Sequence, residues 1–556
     1  MFVEANLPQR ILPAATCRPY GSHRENGNVV QDLYDIQATR RIEAAFAARL
    51  PAHTLMRRAG LSVARLAMAL HPHAETFWIA CGPGNNGGDG LEAASNLKQW
   101  GKQVVVTWLG SAQRCSADTL AAYERARQSG VQFDNSPPGD YAVAIDALLG
   151  IGASSGSGST DPGRIEHGKV GRSSCELNDW ADRLNQHRAP VLSIDLPSGL
   201  NADTGVASPH AVRAHHTLSL VTLKPGLFTA AGRDCCGEIW HDAAGCDDLG
   251  GLVVIPAARL SGWPAIQAST VETAGPESAR APQTRNTAHA FHKGNFGDVV
   301  VIGGAPGMAG AALLAAGAAL HGGAGRVLVG LLDGGLMTVD VALPELMIRP
   351  VASLDLRHST VVCGCGGGDA VKQHLHAVLS TASLAVLDAD ALNAIAVDLN
   401  LQLQLKQRAA RNRPTVLTPH PLEAARLLGR ATNEVQADRL AAAHQLAERF
   451  ACCVVLKGSG SVIATPGRVP HINTSGNALL ATAGTGDVLA GLIAGRIAPL
   501  IHVQTACADT GAGAGFEKLL QAVFQAVCGA VFRHGEVADS WPDGRALTAS
   551  ALARAL

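Results

Sequence analysis

Short apolar runs alternate with helical segments along two long stretches of the chain. In the first stretch the apolar runs are TFWIAC (76–81), QVVVTWLG (103–110), AVAIDALLG (142–150), VLSIDLP (191–197) and TLSLVTL (217–223). Segments of roughly 10–20 residues with helical periodicity separate most of these runs. Strands that are apolar on both faces are buried on both faces, so the pattern predicts a mostly parallel sheet covered by helices on each side.

A second alternation of the same kind begins at GDVVVIGG (297–304). It continues through GRVLVGLLD (325–333), STVVCGCGGG (359–368), ASLAVLDADALN (382–393), PTVLTPHPLEAARLLG (414–429), CCVVLKGSGSVIATPG (452–467) and AGTGDVLAGLIAGRI (483–497). A segment rich in Pro, Ala, Ser and Thr separates the two alternations, and the first residues of the chain have no periodicity. We therefore predict a loose tail (1–31), an α/β domain (32–255), a linker (256–284) and a second α/β domain (285–556).

The composition excludes several classes of protein. With 556 residues, of which 47% are apolar and 16% charged, the chain is long enough for two cores and too apolar for wholesale disorder. Its formal net charge of −1 shows no basic excess, so we expect small molecules as partners, not nucleic acid or a membrane surface. The Ala- and Gly-rich run 308–325 is short for a membrane span and predicts a buried helix packed closely against a sheet.

The cysteines and the first residues indicate the compartment. The 13 cysteines are odd in number, lie mostly in apolar runs and include no CxxC pair, which argues against a disulfide scaffold and a structural zinc site. The first 30 residues lack a basic start followed by an apolar run. Buried, reduced thiols in a cytoplasmic protein are therefore expected.

The run GPGNNGGDG (82–90) follows an apolar run and precedes LEAASNLKQWG, which predicts a strand, a glycine loop and a helix. Glycines let backbone N–H groups approach an anion, and the N-terminus of a helix adds partial positive charge, so the loop suits a phosphate. Asn85, Asn86 and Asp89 add oxygens that suit a ribose, an amide or a monovalent cation. The alternative is an ordinary turn, because turns need glycine anyway.

Two further loops leave the ends of apolar runs in the same half. Asp146 ends one run, and Asp195 and Ser198 follow another. Ligands of open α/β sheets bind outside the carboxyl ends of the strands, so we expect the three loops to converge on one cleft. Taken singly, each Asp is equally compatible with a helix cap or a turn.

In the second half, TAGTGDVLAGLIAG (482–495) is the most informative run. Gly484 and Gly486 precede a helix that is predicted to start near Asp487, so backbone N–H groups there can hold a phosphoryl group in transfer. Asp487 stands where it can take the proton of a hydroxyl that attacks phosphorus. An Asp that caps an ordinary helix is the alternative.

Two other loops of this half carry candidate chemistry. KGSGS (457–461) follows an apolar run and offers Lys457 and exposed amides to a nucleotide phosphate. His420 and Glu423 lie at a strand–helix junction, where a histidine alone is more often structural.

Four runs of the first half, GPGNNGGDG, IDALLGIG, IDLPSGLNADTG and LVTLKPGLFTAAGRD, resemble the NAD(P)H-hydrate epimerases, the family of the YjeF N-terminal domain. The resemblance covers roughly residues 32–250 and implies a Rossmann-like, three-layer α/β/α domain. Such a domain interconverts the R and S epimers of NAD(P)HX, the form of NAD(P)H that is hydrated on its nicotinamide ring.

The resemblance also implies roles for individual residues. Asp195 would be the catalytic acid or base, and Asn86, Asp146 and Ser198 would ligate a potassium ion. The implied substrate contacts are Asn85, Asn86, Gly87, Gly88, Asp89, Gly150, Ile151, Gly152, Ala153, Ser154, Ser155, Gly156 and Asp195. The Ser/Gly-rich stretch 153–174 is longer and more polar than the family's substrate loop and predicts a flexible insertion.

Five runs of the second half resemble the ADP- or ATP-dependent NAD(P)H-hydrate dehydratases over about residues 285–556. They are KGNFGDVVVIGGAPGMAGAALLAAGAALHGGAG, VLDADALN, LTPHPLEAARLLG, VLKGSGSVIATP and GNALLATAGTGDVLAGLIAG. The resemblance implies a ribokinase-like α/β domain that phosphorylates the 6-hydroxyl of S-NAD(P)HX, after which phosphate leaves and NAD(P)H is restored. Bacterial-type members with two domains use ADP and Mg²⁺, so ADP is the expected co-substrate.

Asp487 would be the base of this second reaction. The implied contacts to the hydrate are Ala311, Gly366, His420 and Asp487, and those to the nucleotide are Lys457, Gly458, Ser459, Gly460, Ser461 and Gly486. One departure is GCGGG (364–368), which replaces the family's usual Gly-Pro-Gly-type turn. Its glycines remain, so we expect the loop to work.

The two resemblances together predict a bifunctional NAD(P)H-hydrate repair enzyme, an isomerase and a lyase in one chain, and a homo-oligomer. Fusion is reasonable because the dehydratase takes one epimer and the epimerase supplies it from the other. One alternative is a ribokinase-like kinase of a small alcohol, which would release a stable phosphorylated product. Another is an N-terminal half that binds ligand without chemistry.

Overall fold

The computed structural model of the chain describes residues 18–19, 31–154, 174–247, 251–261, 292–501 and 512–556. The chain divides into two compact units that correspond to the two alternations of apolar runs. The first unit contains Tyr34–Leu227 and Ala231–Ile255. The second contains Gly27–Leu33, Phe228–Ala230 and Pro256–Leu556.

The regular elements alternate as the sequence predicts. The strands are β1 (Arg18–Pro19), β2 (Asp32–Leu33), β3 (Thr76–Cys81), β4 (Gln103–Trp108), β5 (Gln132–Asp134), β6 (Val143–Ala147), β7 (Val191–Ile194), β8 (His216–Leu220), β9 (Glu238–Asp242), β10 (Ala258–Ser261), β11 (Asp298–Gly303), β12 (Arg326–Leu331), β13 (Met347–Ile348), β14 (Ser359–Cys363), β15 (Leu384–Leu387), β16 (Thr415–Leu417), β17 (Cys453–Leu456), β18 (Val462–Ala464) and β19 (His471–Asn473). The α-helices are α1 (Ile36–Ala47), α2 (Thr54–Leu70), α3 (Asn85–Gln99), α4 (Ala117–Gln128), α5 (Ser174–Gln186), α6 (Gly232–Cys235), α7 (Ala309–His321), α8 (Lys372–Thr381), α9 (Ala389–Val397), α10 (Leu399–Ala410), α11 (Pro421–Leu428), α12 (Thr432–Ala437), α13 (Arg439–Phe450), α14 (Thr485–Ile497), α15 (Ala512–Asp539) and α16 (Ala549–Arg554).

The sheet of the first unit has eight strands in the order β1-β9-β8-β7-β6-β3-β4-β5. All neighbours are parallel except β1 and β9. Alternate residues of β3 enter different cores: Phe77 and Ile79 pack with α2, α3 and α4, whereas Trp78 and Ala80 pack with α5. The three-layer α/β/α prediction is confirmed.

The sheet of the second unit has eleven strands in the order β13-β12-β11-β14-β15-β16-β17-β18-β19-β10-β2. The strands from β13 to β17 are parallel, and β18 is antiparallel to both of its neighbours. Val299 and Val301 of β11 face α7, α14 and α15, whereas Val300 and Ile302 face α8 to α13. Both faces of this sheet are therefore covered, as predicted.

Helices α7 and α14 pack closely because small residues line their contact. A Cβ at Gly491 would lie 1.9 Å from the carbonyl oxygen of Ala315, and one at Gly495 would lie 2.5 Å from that of Ala319. This contact explains the Ala- and Gly-rich run 308–325, which forms a buried helix as predicted. Within the described ranges, no helix combines the length and the apolar character needed to cross a bilayer.

Short strands appear where composition predicts a tail and a linker. Arg18–Pro19 lies in the predicted tail and pairs with β9. Ala258–Ser261 lies in the predicted linker and pairs with both β19 and β2. Strands of two to four residues carry too little periodicity to be recognised inside a segment rich in Pro, Ser and Thr.

Candidate functional sites

The first site lies where the strand order of the first sheet reverses. β3 pairs with β4 on one side and β6 on the other, so the carboxyl ends of β3, β6 and β7 are neighbours. The loops after these strands carry the predicted residues, and they meet at one edge. This is where open α/β sheets bind ligands.

Most of the glycine run is the start of a helix and not a free loop. Helix α3 begins at Asn85, inside GPGNNGGDG, and not after it as predicted. A Cβ at Gly87 would lie 2.0 Å from the carbonyl oxygen of Gly82, and one at Gly90 would lie 2.6 Å from Cβ of Ala147. These glycines bring the first turn of α3 against the ends of β3 and β6, which leaves backbone N–H groups at the edge.

The three predicted potassium ligands lie together. Asp146 is fully buried and accepts hydrogen bonds from Ser193 Oγ (2.8 Å), Ser198 N (2.9 Å) and Ser198 Oγ (2.6 Å). Asn86 Nδ2 donates to the carbonyl oxygen of Leu149 (3.0 Å), and Leu149 N donates to Ser198 Oγ (2.8 Å). Burial raises the pKa of Asp146, and the hydrogen bonds from Ser198 oppose this rise. Among the described residues, only uncharged groups donate to this buried carboxylate.

Asp195 forms a buried ion pair with Lys224, which the sequence analysis missed. Lys224 Nζ donates to Asp195 Oδ1 and to the carbonyl oxygen of Leu220 (2.7 Å), and its side chain is fully buried. Asp195 has a φ of 67°, in the left-handed region that non-glycine residues rarely adopt. A strained, ion-paired carboxylate at a strand end is typical of a functional position.

Two more carboxyl groups lie near this pair. Burial, with the Asp195 charge as the next cause, raises the pKa of Glu43 on α1 and raises the pKa of Asp89 well above its usual range. The first site therefore combines a carboxylate that is paired with an ammonium group and two carboxyl groups whose pKa values are raised by burial.

The predicted substrate loop is described in part. Gly150 lies against Asn86, since a Cβ there would be 3.1 Å from Asn86 Cβ. Residues 151–154 form a 3₁₀-helix. Ser155 and Gly156 lie outside the described residues, as does nearly all of the predicted insertion.

The second site lies at the carboxyl ends of β11, β14, β15, β16 and β17, which are consecutive in the sheet. Helix α14 starts at Thr485, two residues before Asp487, and Gly484 caps it with a φ of 89°. The Asp487 carboxylate, the Asp388 carboxylate after β15 and the Cys365 thiol after β14 offer ligand atoms that all lie within 4.8 Å of one another. Burial and the neighbouring Asp388 raise the pKa of Asp487 to about 6.

Lys457 joins this cluster. Its Nζ donates to Asp388 Oδ1 at 2.8 Å and would lie 3.4 Å from a Cβ placed on Gly486. Burial disfavours the charge of Lys457, but Asp388 and Glu423 outweigh this effect and raise its pKa. An ammonium group, two carboxylates and the N-terminus of a helix thus face one another.

His420 caps α11 through its ring. His420 Nδ1 accepts from Leu422 N (3.1 Å) and Glu423 N (3.4 Å), and Glu423 Oε2 accepts from His420 N (2.8 Å). Burial, followed by the charge of Lys457, lowers the pKa of His420. Its Nε2 lies 3.2 Å from Glu423 Oε1.

The remaining predicted residues of the second half lie at the contact between Ala311 and Gly366 and in the turn after Lys457. Ala311 and Gly366 are neighbours, since a Cβ on Gly366 would lie 2.8 Å from Ala311 Cβ. The turn after Lys457 packs against Phe228–Ala230: Ser459 Oγ donates to the carbonyl oxygen of Ala230 (2.9 Å). Gly458 and Ser459 stay exposed, whereas Gly460 is buried.

Four residues of these sites were not singled out from the sequence: Glu43, Lys224, Asp388 and Cys365. Lys224 and Asp388 each stand at the end of an apolar run, where a lone charge is costly unless it is paired. That position is the signal that could have found them. Cys365 stands at the departure in the GCGGG turn.

The comparisons agree with this architecture. The model of the YjeF-related protein N-terminus matches residues 52–226, and the NAD(P)H-hydrate dehydratase model matches residues 299–556. The fold and the two sites therefore define a two-domain chain of these classes. The bifunctional NAD(P)H-hydrate repair enzyme of Coxiella burnetii is 33% identical over 486 residues, which cover 85% of this chain and 91% of that enzyme. The chain belongs to the family of bifunctional NAD(P)H-hydrate repair enzymes.

A second bifunctional relative and one solved structure are also similar to this chain. The bifunctional NAD(P)H-hydrate repair enzyme of Escherichia coli is 33% identical over 491 residues, which cover 85% of this chain and 86% of that enzyme. The crystal structure of an ADP/ATP-dependent NAD(P)H-hydrate dehydratase from Bacillus subtilis is 26% identical and covers 53% of this chain and 95% of its own, with a TM-score of 0.39.

Proposed function

We propose that this chain repairs hydrated NAD(P)H by two reactions, epimerisation of R- and S-NAD(P)HX in the first unit and ADP-dependent dehydration of S-NAD(P)HX in the second. The observation that carries the proposal is the second site, where Asp487 lies at the N-terminus of α14 beside Asp388 and Lys457. That arrangement offers a base, an anion-binding helix end and a cation to one phosphoryl transfer.

In the dehydratase site, Asp487 takes the proton of the 6-hydroxyl as that oxygen attacks the terminal phosphorus of ADP and AMP leaves. The backbone N–H groups at Gly486 and the Lys457 ammonium stabilise the charge on the phosphoryl oxygens. Phosphate is a better leaving group than hydroxide. The lone pair of the ring nitrogen then expels it, and loss of a proton from the adjacent carbon restores the double bond of NAD(P)H.

In the epimerase site, Asp195 is the acid or base that transfers a proton during the epimerisation of NAD(P)HX. Lys224 fixes its orientation through a buried ion pair. Asp89 lies in α3, just after its first turn, and serves as the complementary donor, because burial raises the pKa of its carboxyl group well above its usual range. A pair of carboxyl groups in one pocket is a common solution for acid–base chemistry.

A potassium ion suits the Asp146 cluster. The oxygens of Asn86, Asp146 and Ser198 are hard donors, and the buried Asp146 carboxylate receives only uncharged donors among the described residues. These three residues would hold the ion, which supplies positive charge at the edge where a pyrophosphate is expected.

Mg²⁺ in the dehydratase site would be held mostly by the nucleotide phosphates, as is usual for this ion. Asp388 Oδ2 is the carboxylate oxygen that does not bond Lys457 and is the candidate protein ligand. Held there, the ion would supply positive charge to the phosphoryl group that is transferred.

The proposal extends to the quaternary structure and to the cellular compartment of the protein. Leu336, Val339 and Val341 are 83%, 53% and 88% exposed in one segment, which supports a homo-oligomer that covers them. All the cysteines among the described residues are free, which supports a reducing cytoplasm.

The decisive experiment identifies the products. Purified protein is incubated with S-NADHX, ADP and Mg²⁺, and ³¹P NMR follows phosphorus while absorbance follows NADH. The proposal predicts equal amounts of NADH, AMP and inorganic phosphate, and a rate at least about 100-fold lower for Asp487→Asn. A stable phosphate ester without NADH would instead identify a kinase of a small alcohol.

A further inference from the structure

Arg439 is a buried cation that lies directly against the turn at Lys457–Ser461. It begins α13 and is 2% exposed. Its Nη2 donates to the carbonyl oxygens of Leu456 and Lys457, each at 3.3 Å, and its Nη1 donates to Gln436 Oε1 at 2.8 Å. Every acceptor that the described residues offer to this guanidinium group is uncharged. Because a buried cation without a carboxylate partner is costly, these hydrogen bonds are what makes its burial tolerable.

The guanidinium group also explains a glycine of the turn. Gly458 has a φ of 140°, and a Cβ on it would lie 2.8 Å from both terminal nitrogens of Arg439. The backbone can therefore rest on the guanidinium group only because residue 458 is a glycine. Thr229 of the second unit extends the contact, since its Oγ1 accepts from Arg439 Nε (3.3 Å) and donates to the carbonyl oxygens of Ser459 and Gly460 (both 3.3 Å).

The carbonyl oxygens of Lys457, Ser459 and Gly460 are thus held on the Arg439 side of the turn. Because the C=O and N–H of a planar trans peptide point in opposite directions, the N–H groups of residues 458, 460 and 461 face the other side. Gly458 N shares that side with Ser461 Oγ, to which it donates at 3.3 Å.

We propose that Arg439 is a positioning residue of the dehydratase, which fixes the turn at Lys457–Ser461 so that its N–H groups and the Lys457 ammonium group meet the phosphates of ADP. The inference rests on the proposed binding of ADP by this turn. Arg439 itself touches neither substrate. It acts through the backbone that it holds, so that the turn is ordered before the nucleotide arrives and binding does not have to order it.

Arg408 provides a matched control in the same unit. It is 1% exposed, and the acceptors that it reaches within the described ranges are also uncharged oxygens, those of Val378, Leu379, Pro414 and Thr415. Burial lowers the pKa of Arg408 to about 9 and that of Arg439 to about 10, so both groups keep their charge near neutral pH. Thr415 begins β16, whereas the dehydratase site lies at the carboxyl ends of the strands, so Arg408 lies at the opposite edge of the sheet.

The test compares Arg439→Met with Arg408→Met in the full chain. Isothermal titration calorimetry measures the Kd for ADP with Mg²⁺, and steady-state kinetics at saturating ADP measure the KM for S-NADHX. Arg439→Met should raise the Kd for ADP roughly 10- to 100-fold and leave the KM for S-NADHX unchanged, because a misplacement of about 1 Å can cost about 100-fold. Arg408→Met loses equivalent hydrogen bonds elsewhere, so it should lower the melting temperature to a similar extent and leave the Kd for ADP unchanged.

The outcomes separate this inference from the proposed function. A wild type that neither binds ADP nor forms NADH would overturn both. A wild type that binds ADP would overturn the positioning role alone if the Kd is unchanged in Arg439→Met, is raised equally in Arg408→Met, or rises together with the KM for S-NADHX. If Arg439→Met melts too low to assay, Arg439→Lys decides, because lysine keeps the charge but its single ammonium group cannot span these acceptors. A raised Kd for ADP in that variant supports the inference, and an unchanged Kd contradicts it.

Discussion

Lys457 Nζ lies 2.8 Å from Asp388 Oδ1, although 69 residues separate the two in the chain. The Asp388 side chain is 2% exposed, so this ammonium group is the charge that makes its burial tolerable. The pair ends two strands of one parallel sheet and stands beside the helix that carries Asp487. A Cβ on Gly486 would lie 3.4 Å from Lys457 Nζ and 4.0 Å from Asp388 Oδ2, so the pair adjoins the helix end where the proposed phosphoryl transfer occurs.

Replacing Lys457 by Met should weaken nucleotide binding and slow dehydration. The loss of a charged hydrogen bond to phosphate is worth about 1.5–3 kcal/mol, so the KM for ADP should rise roughly 10- to 100-fold. Steady-state kinetics with S-NADHX measure it. Lys372→Met, at an exposed lysine that pairs with Asp369, should leave the KM unchanged. Equal KM values in both variants would exclude a nucleotide contact for Lys457.

Dehydration should fail in acid because Asp487 acts as a base. With a pKa of about 6, its carboxyl group becomes protonated below that pH, and kcat/KM should fall about tenfold for each further pH unit. Asp487→Asn should lower kcat by at least about 100-fold and leave the binding of S-NADHX largely unchanged. Wild-type activity that stays level well below the pKa would contradict this role.

Substitutions of Asp195 and Lys224 should compensate each other in stability but not in catalysis. Removing one partner leaves a buried charge without its counterion, so Asp195→Asn and Lys224→Met should each destabilise the first unit by about 3–5 kcal/mol. The double variant should recover much of that stability, because neither charge is then present. Its epimerase activity, followed by exchange between R- and S-NADHX, should stay lost. Normal epimerisation by Asp195→Asn would disprove the assignment of the base.

Potassium should raise the melting temperature of the first unit, since an ion that binds only the folded state stabilises it. Differential scanning fluorimetry with K⁺, compared with choline at equal ionic strength, measures this effect. Ser198→Ala should reduce the K⁺-dependent rise, because it removes an oxygen from the cluster. An equal rise in wild type and variant would indicate that potassium acts elsewhere.

The second unit should lose stability as the pH falls from about 6.5 toward 4. Burial lowers the pKa of His534 to about 4, so the unfolded chain binds a proton in this range that the folded chain does not. A pKa lowered from 6.5 to about 4 corresponds to about 3 kcal/mol. His534→Gln, whose amide can still donate to the carbonyl oxygen of Thr485, should flatten this part of the stability curve measured by urea unfolding. An unaltered slope would show that His534 does not cause it.

Much of the architecture could be predicted because each β–α alternation is a local pattern. The strand ends that carry Asp146 and Asp195 follow from apolar runs, and parallel strands bring such ends to one edge. The start of α3 could not be placed, because glycines read as a loop until the packing of Gly87 on Gly82 is known. The short strands β1 and β10 could not be predicted for a similar reason, because they are defined by pairing with other strands and not by the periodicity of their sequence.

The partners of the predicted residues were harder to find than the residues themselves. Lys224 lies 29 residues after Asp195, and only the folded sheet shows that the two form an ion pair. Cys365 follows β14 and Asp388 follows β15, whereas Asp487 lies in α14, and the approach of the first two residues depends on the order of β14 and β15 in the sheet. Sequence patterns identify which residues reach the edge, whereas tertiary packing decides which of them touch.

The central claim, two repair activities in one chain, is tested most directly by NADH recovery from a mixture of R- and S-NADHX with ADP, Mg²⁺ and K⁺. Samples contain the wild type, Asp195→Asn or Asp487→Asn, each first checked for folding. The account predicts complete recovery by the wild type. It predicts recovery that slows to the uncatalysed epimerisation rate once the S epimer is exhausted in Asp195→Asn, and recovery at least about 100-fold slower in Asp487→Asn. Wild-type recovery that stops at the S epimer would leave the first unit a binding module, and no recovery with either ADP or ATP would contradict the repair function altogether.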